Sequence, residues 1–114
     1  MLQDMEMKSS AIIAGVLIQL ASPSLCLAQE PGNVNAGLAY VETHCAKCHA
    51  IEEDYTESPV LNAPTFQSLA NNPEITGRVL NVLLRTPHRD MPDLIIPRQE
   101  GDNIIAYILS LKKE

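Results

Sequence analysis

Cys45-Ala46-Lys47-Cys48-His49 sets two thiols three positions apart, with an imidazole directly after the second. On a helical stretch that spacing brings both thiols to one side, where they can add to the two vinyl groups on one edge of a porphyrin. His49 then follows in position to serve the iron as an axial ligand, and the thioether links make loss of the group chemically difficult. Two other chemistries use similar residues. Structural zinc usually draws its four ligands from two separated pairs, and no second pair accompanies Cys45, Cys48 and His49. A thioredoxin-like dithiol follows a strand in a βαβ pattern, whereas this motif closes a helical stretch. One covalently attached haem c, with its iron, is therefore the expected cofactor.

The chain has 114 residues and three cysteines, so Cys26 needs an explanation. It falls in a leader-like segment. Ser9 to Ala28 holds an uncharged run, Ala11 to Ala21, then Ser22-Pro23-Ser24, and ends in Cys26-Leu27-Ala28 before Gln29-Glu30. This pattern is that of a secretory signal with small residues at its cleavage site. Asp4 and Glu6 are wrong for the positive start of such a signal, which predicts translation from Met7 and cleavage after Ala28. The apolar run is short for a membrane anchor, which needs roughly 20 residues, and Leu25 is too large for a lipid-acceptor site at Cys26. The expected division is thus 1-28 as signal peptide and 29-114 as one domain. Residues 29-114 carry seven Lys and Arg against twelve Asp and Glu, a net charge of -5, with Cys45 and Cys48 as their only cysteines. That acidity excludes a strongly basic nucleic-acid binder, and the small size fits a domain whose core is completed by an apolar cofactor.

Helical periodicity dominates the remainder. Val34 to Ala46 is predicted as a first helix, with Gly37, Val41 and Cys45 along one face. Ala50 to Ala63, with Glu52, Glu53, Asp54 and Glu57, is predicted as a surface loop, and Phe66 to Ala70 as a short apolar turn. Asn72-Pro73-Glu74 has the residue order of a helix start, and Ile75, Val79, Val82 and Leu83 mark the buried face that would follow. That helix must stop by Thr86, ahead of Pro87. Pro87, Pro92 and Pro97 punctuate a stiff extended loop containing Met91. From Pro97 a last helix carries Ile104, Ile105, Ile108 and Leu111 as a stripe, with Lys112 and Lys113 at its end and Gly101 as a flaw that would fray its beginning or delay it.

With these features the chain resembles a class I, mono-haem cytochrome c of the small bacterial periplasmic type, over nearly all of residues 29-114. The resemblance implies an all-α fold, three to five helices wrapped around one covalently attached haem, with the N- and C-terminal helices crossing. Gly37 and Val41 resemble the first-helix side of that crossing, and Ile104 and Tyr107 the last-helix side, Val41 standing where the family usually has an aromatic. Asn62-Ala63-Pro64 resembles the segment whose proline carbonyl accepts the proximal histidine's hydrogen bond, a contact that raises ligand basicity. Pro87-His88-Arg89-Asp90-Met91-Pro92 resembles the distal loop, with Met91 as sulfur donor. Elimination reaches the same ligand, because Met1, Met5 and Met7 fall in the leader. His88 is the rival distal ligand. His44, just before Cys45, is expected on the surface.

The expected function is single-electron transfer in the periplasm, from a dehydrogenase to a later carrier or oxidase, by a monomer or a subunit of a dehydrogenase complex. It is not expected to be an enzyme. The alternative is a haem-c sensor or peroxidase-like protein with a labile sixth ligand. Arg85 and Arg89 are candidates for the haem propionates, although arginines near a helix end are more often solvated. The acidic run Glu52 to Glu57 is either a wet loop or a docking surface for a basic partner.

Overall fold

A computed structural model of the chain describes residues 30-87, 90-91 and 95-114. The expected leader, its start at Met7, its end at Ala28 and Cys26 lie outside the described residues, as do His88, Arg89 and Pro92. The described residues form four helices in order, α1 (Val34–His44), α2 (Phe66–Asn71), α3 (Gly77–Arg85) and α4 (Arg98–Ser110). There is no strand among the described residues, so the fold is all-α as expected.

The α1–α4 pair forms the backbone of the fold. Asn33 caps α1, its side chain accepting from the Ala36 N–H at 2.9 Å, while its own N–H donates to Asn103 Oδ1 on α4 at 2.8 Å. Gly37 is buried where the helices meet, and a methyl group there would overlap the Asn103 carbonyl and lie 2.8 Å from Tyr107 Cβ. Only a hydrogen fits that space. One turn on, Val41 is fully buried, and Ile104 opposes it from the α4 stripe in which Ile105, Ile108 and Leu111 are also buried. Each such aliphatic side chain contributes about 1.5–3 kcal/mol on burial. The crossing anticipated from Gly37, Val41, Ile104 and Tyr107 is therefore present.

Three local expectations require correction. The helix anticipated from Asn72 begins at Gly77, capped by Thr76, whose hydroxyl accepts from the Val79 N–H at 3.3 Å. Asn72 instead ends α2, and its side chain accepts from the Glu74 N–H at 2.9 Å, diverting the chain into a turn. Second, Val82 is 58% exposed and Leu80 only 2%. The stripe that faces inward is Leu80, Leu83 and Leu84, spaced i, i+3, i+4, which leaves Val82 on the far side. Third, the predicted apolar turn at Phe66 is a true short helix, because the Thr65 hydroxyl accepts from the Ser68 N–H at 3.1 Å.

Gly101 does not delay α4, which starts at Arg98, and its N–H donates to the Pro97 carbonyl at 2.9 Å in the first turn. A Cβ at this position would meet only Ile96, at 3.9 Å. Gly101→Ala is therefore expected to stabilise the protein by ~0.5–1 kcal/mol, through reduced chain entropy at an unstrained helical site. Thermal unfolding beside wild type checks this, and a lowered midpoint would count against it.

Long-range hydrogen bonds fasten the loop after the CxxCH motif. The Tyr107 hydroxyl is buried and donates to the Ile51 carbonyl at 2.6 Å. Burial, then the nearby Glu52, Glu42 and Glu53, raise its pKa, which keeps it a donor at neutral pH. Tyr107→Phe leaves that carbonyl without its partner and is expected to cost ~1–3 kcal/mol, measurable as a lower denaturant midpoint.

Candidate haem-binding site

Cys45 caps the end of α1, its N–H donating to the Val41 carbonyl at 2.8 Å. The chain then tightens, and the Cys45 carbonyl accepts from the N–H groups of both Cys48, at 3.1 Å, and His49, at 3.0 Å. That turn gathers the two sulfurs and the imidazole at one cavity wall. Cys45 is buried and Cys48 half-buried, and no disulfide joins them. Burial, and secondarily Cys48, push the Cys45 thiol up to about 11, so it stays protonated at neutral pH until it is alkylated.

His49 Nδ1 lies 2.7 Å from the Pro64 carbonyl oxygen. A carbonyl can only accept, so Nδ1 donates to it, and in the neutral ring this leaves the lone pair on Nε2, the tautomer required of a ligand bound through Nε2. The segment that supplies Pro64 is anchored from both ends. Val60 N–H donates to the Cys48 carbonyl at 3.2 Å, and Phe66 N–H donates to the Ala50 carbonyl at 2.9 Å.

The cavity is about 310 Å³. Its walls are apolar, with Leu80, Leu83 and Leu84 from α3, Ile104 and Ile108 from α4, and Phe66 and Leu69 from α2. Met91 is half-buried and lines the same cavity as Cys45, Cys48, His49 and Pro64. Just before it, Asp90 has φ 68°, a left-handed conformation in which Asp is enriched several-fold over most residues other than glycine. All five residues singled out in the sequence thus border one space. An apolar cavity with two thiols, an imidazole held at Nδ1 by a backbone carbonyl and a thioether fits a porphyrin attached by its edge and ligated by nitrogen and sulfur.

A known protein is similar to this chain over most of its length. A cytochrome c-552 from Bradyrhizobium diazoefficiens is 32% identical over 97 residues, which span 85% of this chain and 89% of that protein. The chain belongs to the c-type cytochromes. No family model matches it, and no solved structure does. As a c-type cytochrome it holds haem c covalently, with its iron, and acts as an electron carrier that works with redox partner proteins.

Other parts of the cytochrome lie where the sequence suggested, with two additions. His44 is exposed at the cavity rim and stacks on Tyr40, ring centroids 4.1 Å apart. Arg85 is exposed at the end of α3. Glu52, Glu53, Asp54 and Glu57 form an exposed loop, from which Asp54 pairs with Lys113. Two residues of the site's support escaped sequence reasoning. Gln67 is 8% exposed, and its Oε1 accepts from the Asp54 N–H at 2.7 Å. Nothing in its local sequence distinguishes it from a solvated glutamine. Asp90 is the other, and its one signal was an Asp in a proline-rich loop just before the lone methionine.

Proposed function

We propose that this cytochrome is a periplasmic single-electron carrier, in which Cys45 and Cys48 hold the haem by thioether bonds and His49 and Met91 are the axial ligands. What supports the reading is that the two cysteines, the Pro64-bonded His49 and Met91 all line one apolar cavity. When bound, haem iron supplies a one-electron couple between ferric and ferrous states.

The chain's residues do the rest. The Pro64 carbonyl keeps the proton on His49 Nδ1 and makes the imidazole a stronger donor. Met91 offers a soft thioether, which favours the reduced state and raises the potential. The leucines of α3 and the isoleucines of α4 exclude water, so an added electron is not offset by a large rearrangement of solvent. No substrate has to reach the metal, which separates a carrier from a sensor or a peroxidase.

The leader-like pattern of residues 1-28 supports secretion to the periplasm. No helix among the described residues is long and apolar enough to cross a membrane. Electrons come from a dehydrogenase and leave to a later carrier or oxidase, with the protein acting as a monomer or as a subunit of a dehydrogenase complex. The exposed acids of the 52-57 loop favour a basic partner surface, so association is faster at low salt. Exposing the reduced wild-type protein to carbon monoxide tests the carrier reading. No uptake is expected, and ready binding would replace it with the labile-ligand alternative.

A further inference from the structure

Phe66 is the only phenylalanine in the chain, and it is 5% exposed. Its ring centroid lies 5.3 Å from that of His49, with the planes 43° apart. Its backbone N–H is bonded to the carbonyl of Ala50, the residue directly after His49. Two residues earlier, Pro64 holds Nδ1 of the same imidazole. Thr65, between them, is buried, caps α2 through the Ser68 N–H, and accepts the Ser68 hydroxyl on its carbonyl at 2.7 Å. The start of α2 therefore grips the histidine at two places.

The two grips do different things. A hydrogen bond at Nδ1 selects the tautomer and aims the N–H, but the ring can still rock about the line through its two nitrogens. An aromatic group packed against the ring opposes the rocking, and a tilted contact at this separation is an attractive one. We propose that Phe66 is a positioning residue that fixes the plane of the His49 imidazole, an inference that rests on His49 being the axial ligand. The plane of an axial imidazole decides which iron d orbitals its π system overlaps, and hence how unpaired spin is distributed over the porphyrin in the ferric state. Phe66 thus acts on the electronic asymmetry of the centre, while Cys45 and Cys48 secure retention of the group.

Proton NMR of the ferric holoprotein reads this asymmetry in the hyperfine-shifted haem methyl signals. Phe66→Leu retains an apolar side chain and removes the ring. Ile105→Val is the control, since Ile105 is 4% exposed and does not line the cavity. The methyl signals of F66L are expected to redistribute, with those of I105V superimposing on wild type. An F66L pattern identical to wild type would overturn the proposal, and so would equal shifts in both variants. A second measurement needs no variant. In the ferrous wild-type protein, nuclear Overhauser contacts between the Phe66 ring and the His49 imidazole protons are expected, and their absence overturns the role of Phe66 even if F66L yields no holoprotein. Imidazole protons lacking the large upfield shift of a group held over a porphyrin would instead show that His49 is not the ligand, which identifies failure of the earlier reading.

Discussion

Replacing Met91 with alanine is expected to lower the reduction potential by ~0.1 V or more and to let the reduced protein bind carbon monoxide. For a one-electron couple, 0.1 V corresponds to about 2.3 kcal/mol. The direction follows from ligand softness, because a thioether stabilises ferrous more than ferric iron, and alanine leaves water or an empty position in its place. Carbon monoxide is small and apolar enough to enter a space walled by Leu83, Leu84 and Ile96. Two measurements decide the matter, a redox titration and a carbon monoxide difference spectrum, each beside wild type. If both leave M91A indistinguishable from wild type, Met91 is not a ligand. Were the wild type already to bind carbon monoxide, the substitution would have nothing to open, and the labile-ligand alternative would hold.

Gly37→Ala is expected to destabilise the protein by about 2 kcal/mol net, the opposite of Gly101→Ala. Alanine improves intrinsic helix propensity by ~1 kcal/mol at either position. At position 37, however, the added methyl overlaps the Asn103 carbonyl and crowds Tyr107 Cβ at 2.8 Å. The obstruction is backbone, which has no rotamer with which to give way, so the helices must separate at the upper end of the ~1–3 kcal/mol usual for overpacking. Separation also moves Ile104 and Ile108 and, with them, one wall of the cavity. For a domain of this size the net loss amounts to a fall of ~8–16 °C in Tm. Calorimetry of the holoprotein would show it, and a Tm at or above wild type would mean that the α1–α4 contact is looser than described.

Elements whose evidence is local were legible in the residues alone. The α1 face of Gly37, Val41 and Cys45 and the α4 stripe of Ile104, Ile105, Ile108 and Leu111 are periodic over several turns, and helical periodicity is read from neighbours in sequence. The start of α3 was not. Asn72-Pro73-Glu74 and Thr76-Gly77 both have the makings of a cap, and the choice went to Thr76 because Asn72 was already engaged in ending α2. Similarly, Leu80 and Val82 are equally apolar, so their exchange of inside and outside follows from the direction in which the cavity lies.

The same division applies to the site. Cys45, Cys48 and His49 are fixed by covalent spacing, since a vinyl-bearing edge and an iron can be served by consecutive residues of one turn, and this is why the cofactor was evident from five positions. The cavity itself depends on residues far apart in the chain. The carbonyl that holds His49 comes from 15 residues away, the hydroxyl that holds Ile51 from 56, and the rings of Phe66 and His49 meet because Ala50 bonds back to the Phe66 amide. Such contacts leave little trace in local composition, because a buried glutamine or phenylalanine has the same neighbours in sequence as an exposed one. Spacing along the chain thus named the cofactor, whereas the hydrogen bond and the aromatic contact of the His49 imidazole come from the packing of α2 and the residues before it against the turn that follows α1.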